Sequence, residues 1–197
     1  MYKLSIITVL YNYPEWKMPT FFQSACKSFE LDEIFIFREN SKSDQDYLKF
    51  ISSNNLKESN YTRLFYYKIV HLRNNIIKQF KDNRLILFLD ALDTDIITDK
   101  NDIVEKFQTF SSDIVIGAER NLWPPTVYSK LYNTRHFDTA FLNSGTFIGR
   151  RDALIHALDS MIAHGPKDII DDQGAWTKLF LTGEAKIELD HHRRLFF

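Results

Sequence analysis

Glycine is scarce in this chain: 6 residues in 197, the first of them Gly117. The GxGxxG turn of dinucleotide-binding folds and the phosphate-cradling P-loop both need glycine where backbone approaches phosphate closely, so the first half of the chain contains neither. A nucleotide, if bound, is held by another device. Cysteine is scarcer still. The single Cys26 excludes an internal disulfide framework and a multi-cysteine zinc site, and within "FFQSACKSF" it reads as a small buried apolar group.

Long apolar runs are also missing. None reaches the ~18 residues that a membrane-spanning helix needs. The N-terminal run in "MYKLSIITVLYNYPEW" is too short for a secretory signal and lacks a small-residue cleavage site. Neither sign of charge dominates, with 25 basic against 26 acidic residues and a net charge of −1. That balance offers no electrostatic reason to expect nucleic acid or an anionic membrane as partner. The expectation is a soluble, cytoplasmic protein folded as one domain over residues 1–197, since 44% hydrophobic and 15% aromatic residues suffice for a sizeable core.

What the chain does have is an alternation of strand and helix patterns. "LSIITVL", "EIFIF", "LILFLD", "DIVIGA" and "KIELD" read as strands. Between them "PTFFQSACKSF" (with Pro19 near its start), "DQDYLKFIS", "IVHLRNNIIKQF", "NDIVEKFQTF", "DALIHALDSMIAHGP" and "DDQGAWTKLFL" carry helical spacing. In the clearest helix Leu154, Leu158, Met161 and Ile162 share a face, and Gly165–Pro166 is a stop. "FLNSGTFIG" reads as a strand broken by an Asn-Ser-Gly turn. Such alternation predicts an α/β fold with a Rossmann-like, mixed and largely parallel sheet flanked by helices. Ligands of these sheets bind at the carboxyl ends of strands, where Asp90 falls.

The stretch "LILFLDALDTDIIT" drives an apolar strand into a cluster of aspartates. If the chain turns there, Asp90 and Asp93 can face one ion. Magnesium or manganese bound with a nucleotide uses one or two carboxylates, phosphate oxygens and water completing the shell. Helix capping and solvated loop charge are the plainer uses of such aspartates, and Asp95 and Asp99 fit them. "DTDII" also imitates the aspartyl nucleophile of haloacid-dehalogenase-like metal-dependent phosphatases, with Asp93 attacking phosphate. In that case Asp90 interrupts the strand that should lead directly into the nucleophile.

Further motifs follow in order: "GAERNLWPP", "FLNSGTFIGR", "IIDDQGAW" and "IELDHHRRLFF". Together with "FLDALD" the series resembles the glycosyltransferase domain of the procollagen lysyl hydroxylase (PLOD-type) family and its viral and bacterial relatives. The resemblance runs from residue 4 to residue 197. Single motifs are moderately specific; five in order are strong. The resemblance implies a GT-A fold, a UDP-sugar donor and manganese. By position it makes Asp90, Asp93 and His191 metal ligands, imidazole suiting manganese better than magnesium. It makes Lys68 and Thr8 nucleotide contacts. Glu119, Trp123, Asn143, Asp171 and Asp172 become residues of the sugar and acceptor side, with Asp172 or Asp171 deprotonating an acceptor hydroxyl or orienting the donor sugar. Leu92 stands where the family often has an aromatic residue. The lysyl hydroxylase modules are missing, so a collagen acceptor is not expected.

The function implied is transfer of a hexose, glucose or galactose, from a UDP-sugar to a hydroxyl on a glycan, protein or small molecule. A metal-dependent phosphatase and a non-catalytic GT-A-like sugar-binding protein are the alternatives. Taken singly, Asn-Ser-Gly is an ordinary turn, Asp171-Asp172 a helix cap and Trp123 a plug beneath a loop. The ordered set carries the reading.

Overall fold

Strand β1 (Leu4–Tyr11) is buried along all but its last residue, which is why its sequence, apart from Ser5 and Thr8, runs apolar without alternation: a strand covered on both faces has no solvent side. We describe it from a computed structural model that covers residues 2–13, 21–90, 93–124, 130–132, 137–165 and 171–197. Pro19, Leu92, Pro125 and Pro166 of the motifs above lie outside these described residues. β1 pairs in parallel with β2 (Ile34–Glu39) on one side and β3 (Leu85–Leu89) on the other. β5 (Phe141–Arg150) runs antiparallel between β3 and β4 (Ile114–Glu119), and β6 (Ile187–Asp190) adds in parallel to β4. Among the described residues this gives one six-stranded sheet in the order β2-β1-β3-β5-β4-β6. The α/β class and the mixed sheet are as expected.

Each face of the sheet carries its own core, sorted by the two-residue period of the strands. Ile7, Val9, Ile86 and Phe88 face helices α4 (Leu72–Gln79), α6 (Arg151–His164) and α7 (Asp172–Thr182), where Leu72, Leu158, Met161 and Trp176 are buried. Leu4, Ile6, Leu85 and Leu87 face α1 (Phe22–Ser28) and α5 (Lys100–Gln108) through Ala25, Ile103 and Phe107. On the first face Phe88 stacks on Phe147 at 4.7 Å, and Phe147 meets Trp176 at 5.0 Å. Burying one such side chain contributes roughly 1.5–3 kcal/mol.

Helix α2 (Gln45–Ser53) starts on Asp44, whose carboxylate accepts from the backbone N–H groups of Asp46 and Tyr47. α5 starts on Asp99 in the same way, so Asp99 is a cap. Asp95 accepts the hydroxyl of Ser24. α3 (Asn60–Phe65) continues through a π-helical turn (Tyr66–His71) into α4. In α6 Leu154, Leu158 and Met161 are buried and Gly165, at φ +74°, ends the helix. No helix among the described residues is long and apolar enough to cross a membrane.

Two expectations change. Cys26 is exposed. On α1 the inward positions go to Phe21, Ala25 and Phe29, four residues apart, and Cys26 falls outside that face. The Asn-Ser-Gly tripeptide does not break β5 either. The strand is continuous, but its pairing with β4 jumps from Ile116↔Phe147 to Gly117↔Asn143. Ser144, Gly145 and Thr146 therefore have no counterpart in β4 and form a bulge that re-aims the side chains around it. A methyl group at Gly117 would collide with the Thr146 hydroxyl, so this glycine makes room for the bulge.

Candidate active site

Asp90 is the first residue beyond β3. Its backbone N–H donates to the carbonyl of Gly145 at 2.7 Å, so the β5 bulge anchors the strand end. Its carboxylate is held by Lys68: Nζ lies 2.8 Å from both Oδ1 and Oδ2. The same ammonium stands 3.5 Å from Oδ2 of Asp172. Lys68 reaches this position from the π-helical turn, a distortion that recurs at functional sites. Gly145 matters here because a Cβ would stand 3.1 Å from Oδ2 of Asp90 and 2.9 Å from Oδ1 of Asn143.

Asp171 and Asp172 open α7 with different tasks. Asp171 is the cap, accepting from the N–H of Gly174 at 2.8 Å and from the indole Nε1 of Trp123 at 3.2 Å. Asp172, only 4% exposed, accepts the Ser144 hydroxyl at 2.8 Å. Gln173 then ties three segments together. Its Nε2 donates to Glu119 Oε1 at 2.9 Å and to the Trp123 carbonyl at 2.7 Å, while its Oε1 accepts from the Ser144 N–H at 3.2 Å. Asn143 accepts from the Gly145 N–H through Oδ1 and also bonds Glu119. The Trp123 indole is half exposed, at 51%, beside Asp171.

These groups line one cavity of about 730 Å³, together with Asp93 and Thr94, both close to Asp90, and with Ile96, Ile97, Phe196 and Phe197. A volume between 300 and 1,000 Å³ is that of small-molecule sites. Its electrostatics are lopsided: Asp90, Asp93, Asp95, Glu119, Asp171 and Asp172 line it with a single lysine, Lys68, among the described lining residues. Burial pushes Asp90 up from the ordinary carboxylate range; Lys68 pulls against it, and Asp172 and Asp93 add to the rise. Asp171 and Glu119 are also raised, each first by burial. For Lys68 burial alone would lower the pKa, but the Asp172 and Asp90 carboxylates outweigh it and keep the ammonium charged.

The structure thus gathers Lys68, Asp90, Asp93, Glu119, Trp123, Asn143, Asp171 and Asp172 around one cavity. It does not bring Thr8 or His191 there. β1 runs on to Tyr11, so Thr8 sits inside the strand, fully buried, its hydroxyl without a hydrogen-bond partner among the described residues. The residue that does end the strand is Tyr11, stacked on Tyr67 at 5.0 Å. His191 contacts the Thr139 carbonyl through Nδ1 at 2.6 Å and stacks on Phe137 at 3.9 Å. It lines a second, smaller cavity with Arg120, Asp138 and His192. Among the described residues no three His, Cys, Asp or Glu side chains are gathered as a metal would require. Ser144, Gln173 and Tyr11 were passed over by sequence reasoning. Ser144 and Gln173 sit inside the motifs "NSG" and "DDQ" as uncharged residues whose partners lie far along the chain.

A divalent cation is tested by the donor chemistry. Asp90 already has a cation across both its oxygens, the Lys68 ammonium, and Asp93 lines the same cavity close enough to raise the Asp90 pKa. Two carboxylates suit a hard cation whose remaining ligands come from a diphosphate and water. The Asp90–Asp93 pair fits; His191, turned to Thr139, is not part of that fit.

Comparison with known proteins decides the family. Residues 48–197 match the PLOD GT domain. The chain belongs to this family. All the cavity residues discussed here fall within the matched stretch, whereas β1 and β2 precede it, so the match is shorter than the motifs suggested. Mouse procollagen-lysine,2-oxoglutarate 5-dioxygenase 1 is 32% identical over 121 residues, which is 59% of this chain and 16% of that protein. An uncharacterized protein of Acanthamoeba polyphaga mimivirus is 31% identical over 122 residues, 61% of this chain and 26% of that protein. Human multifunctional procollagen lysine hydroxylase and glycosyltransferase LH3 is 29% identical over 120 residues, 59% of this chain and 16% of that protein. The chain therefore spans about a sixth to a quarter of the length of these relatives. Its sheet and flanking helices are those of a GT-A-like PLOD GT domain. Within this domain Asp90, not Asp93, follows β3 directly, whereas the phosphatase reading puts its nucleophile at Asp93.

Proposed function

We propose that this PLOD GT domain transfers a hexose, glucose or galactose, from a UDP-sugar to an acceptor hydroxyl, with a divalent cation such as manganese. The observation that carries the reading is the meeting of Lys68, Asp90 and Asp172 where the end of β3 faces the start of α7, inside a cavity of small-molecule size. In the reaction a bond forms between acceptor oxygen and anomeric carbon. The bond from that carbon to the UDP oxygen breaks, and UDP leaves with its electron pair.

Asp90 and Asp93 would hold the cation, which when bound supplies Lewis-acid stabilisation of diphosphate charge. Lys68, on the same carboxylate, adds a positive charge where the leaving group develops negative charge. Asp172 is the group placed to take the acceptor proton at Oδ2 or to orient a donor hydroxyl. The Ser144 hydroxyl bond holds that oxygen in place. Asp171 fixes Trp123, whose exposed indole offers an apolar face to a sugar ring. Gln173 positions Glu119, and Asn143 completes the polar wall.

Calorimetry of UDP with manganese, alongside release of UDP from UDP-glucose and UDP-galactose, tests the reading. Manganese-dependent UDP binding with slow acceptor-independent UDP release is expected. UDP binding without release from either sugar nucleotide would point to a non-catalytic sugar-binding relative. Equal binding of GDP or ADP would overturn the nucleotide assignment.

A further inference from the structure

Lys68 occupies the atoms that a metal at Asp90 would take. Its Nζ stands 2.8 Å from both carboxylate oxygens, and the side chain is largely enclosed. A divalent ion must compete for Asp90 with this ammonium, which takes one acceptor site on each oxygen. Two like charges within a few ångströms in a partly desolvated cavity repel strongly. The ammonium also has a second carboxylate within reach, Asp172 Oδ2 at 3.5 Å, itself held by the Ser144 hydroxyl. Leaving Asp90 therefore does not leave the lysine without a counter-charge.

We infer that Lys68 is an internal competitor for the cation: it plugs the Asp90 carboxylate in the free protein and yields it when cation and diphosphate arrive together. The inference rests on the proposed nucleotide-and-cation reading and deepens it. The cation alone must displace an ammonium from an anion and then lie beside it. A diphosphate brings negative charge that both cations share, so displacement becomes favourable. Cation and nucleotide thereby bind with positive coupling, and by linkage each tightens the other by the same factor. The chain would not load with metal ahead of its donor.

A lysine that merely contacted nucleotide would give a different result when removed. Its loss would weaken UDP and leave binding of the bare ion unchanged. A competitor's loss frees the ion's ligand. Manganese chloride is titrated, without nucleotide, into the wild-type chain, Lys68→Met, Lys68→Gln and the double variant Lys68→Met/Asp90→Asn. Bound ion is read from the loss of the free manganese electron paramagnetic resonance signal. Lys68→Met and Lys68→Gln are expected to bind manganese alone about 5- to 150-fold more tightly than wild type, the usual span of such couplings. UDP is expected to enhance manganese binding less in these variants than in wild type. The double variant is expected to lose the gain.

Thermal unfolding gives a second readout should the loss of a buried charge destabilise the variants. Manganese alone should raise the melting temperature of Lys68→Met and leave that of wild type nearly unmoved. Unchanged or weaker manganese binding in both Lys68 variants overturns the inference. If wild type still binds manganese with UDP, the proposed function survives that result. If no form binds manganese with or without UDP, both fall.

Discussion

Oδ2 of Asp172 accepts the hydroxyl of Ser144 at 2.8 Å and lies 3.5 Å from the Lys68 ammonium, so one oxygen joins the β5 bulge, the π-helical turn and the first turn of α7. The arrangement leaves Asp172 buried and lining the cavity, with a neutral hydroxyl and an ammonium meeting at the same oxygen. Ser144 thus acts on the chemistry through another residue.

Substitution of these two residues should separate their tasks. Asp172→Asn is expected to leave manganese-dependent UDP binding close to wild type and to slow transfer by roughly 10²–10⁴-fold, the range for losing a positioned acid/base. Ser144→Ala removes one hydrogen bond to a charged group, about 1.5–3 kcal/mol. It should slow kcat by roughly tenfold to a hundredfold with little change in UDP affinity. Wild-type turnover in Asp172→Asn would remove Asp172 from the mechanism, and lost UDP binding would move it to the nucleotide side. Calorimetry and a UDP-release assay read both.

Gln173→Ala is expected to disturb mainly the sugar end. Its Nε2 holds Glu119 and the Trp123 carbonyl, while its Oε1 accepts from Ser144, whose hydroxyl keeps its own bond to Asp172 in the variant. UDP affinity should stay within about twofold while KM for the UDP-sugar rises, because each hydrogen bond lost typically contributes about 0.5–1.5 kcal/mol. Trp123→Ala should shift the same parameter in the same direction. A fall in UDP binding by either variant would contradict this division of the cavity.

Stability should fall below neutral pH through His71. Burial lowers its pKa below the ordinary 6.5, with Asp44 and Asp46 pulling the other way, and it packs among Phe37, Tyr66 and Tyr67. Above pH 6.5 both folded and unfolded chains carry it neutral. Below that the unfolded chain takes up the proton first, so stability drops until the pH passes the depressed folded value. Urea unfolding at pH 7.5 and 5.5 should show a loss attributable to His71 of up to about 1.4 kcal/mol per pH unit of displacement. His71→Phe should lack that share. An equal loss in the variant would assign the pH dependence elsewhere.

The central core makes a stability prediction of its own. Phe147→Ala opens a hole between Phe88 and Trp176, whose rings meet it at 4.7 and 5.0 Å, and should cost about 3–5 kcal/mol in chemical denaturation. A cost below about 1 kcal/mol would mean the site collapses freely, contrary to the stacked packing.

Much of this was legible because burial writes itself into period. β3 is apolar throughout and β1 nearly so, with only Ser5 and Thr8 between its large residues, because both are covered on two faces, and α6 repeats at helical spacing. Charge after a strand marked Asp90, and the paired aspartates before a helix marked Asp171 and Asp172. Distances across the sheet leave no such trace. Ser144 and Gln173 are uncharged, and their partners come from segments 28 to 54 residues away. His191 follows Asp190 in a motif, yet its ring is claimed by Phe137 and Thr139, which only the folded chain brings near. Asn-Ser-Gly signals a turn locally. Pairing of its flanks with both β3 and β4 holds the strand continuous, and the excess residues emerge as a bulge.

That bulge also sets what lengths the chain can accept. Side chains alternate across a strand with period two, so losing one residue among Ser144, Gly145 and Thr146 would either flip Phe147 away from Trp176 or pull Gly145 off the Asp90 N–H. An added residue would meet the same choice. Related chains should therefore vary freely in side chain at parts of this segment and scarcely at all in its length, and engineered insertions belong elsewhere in the fold.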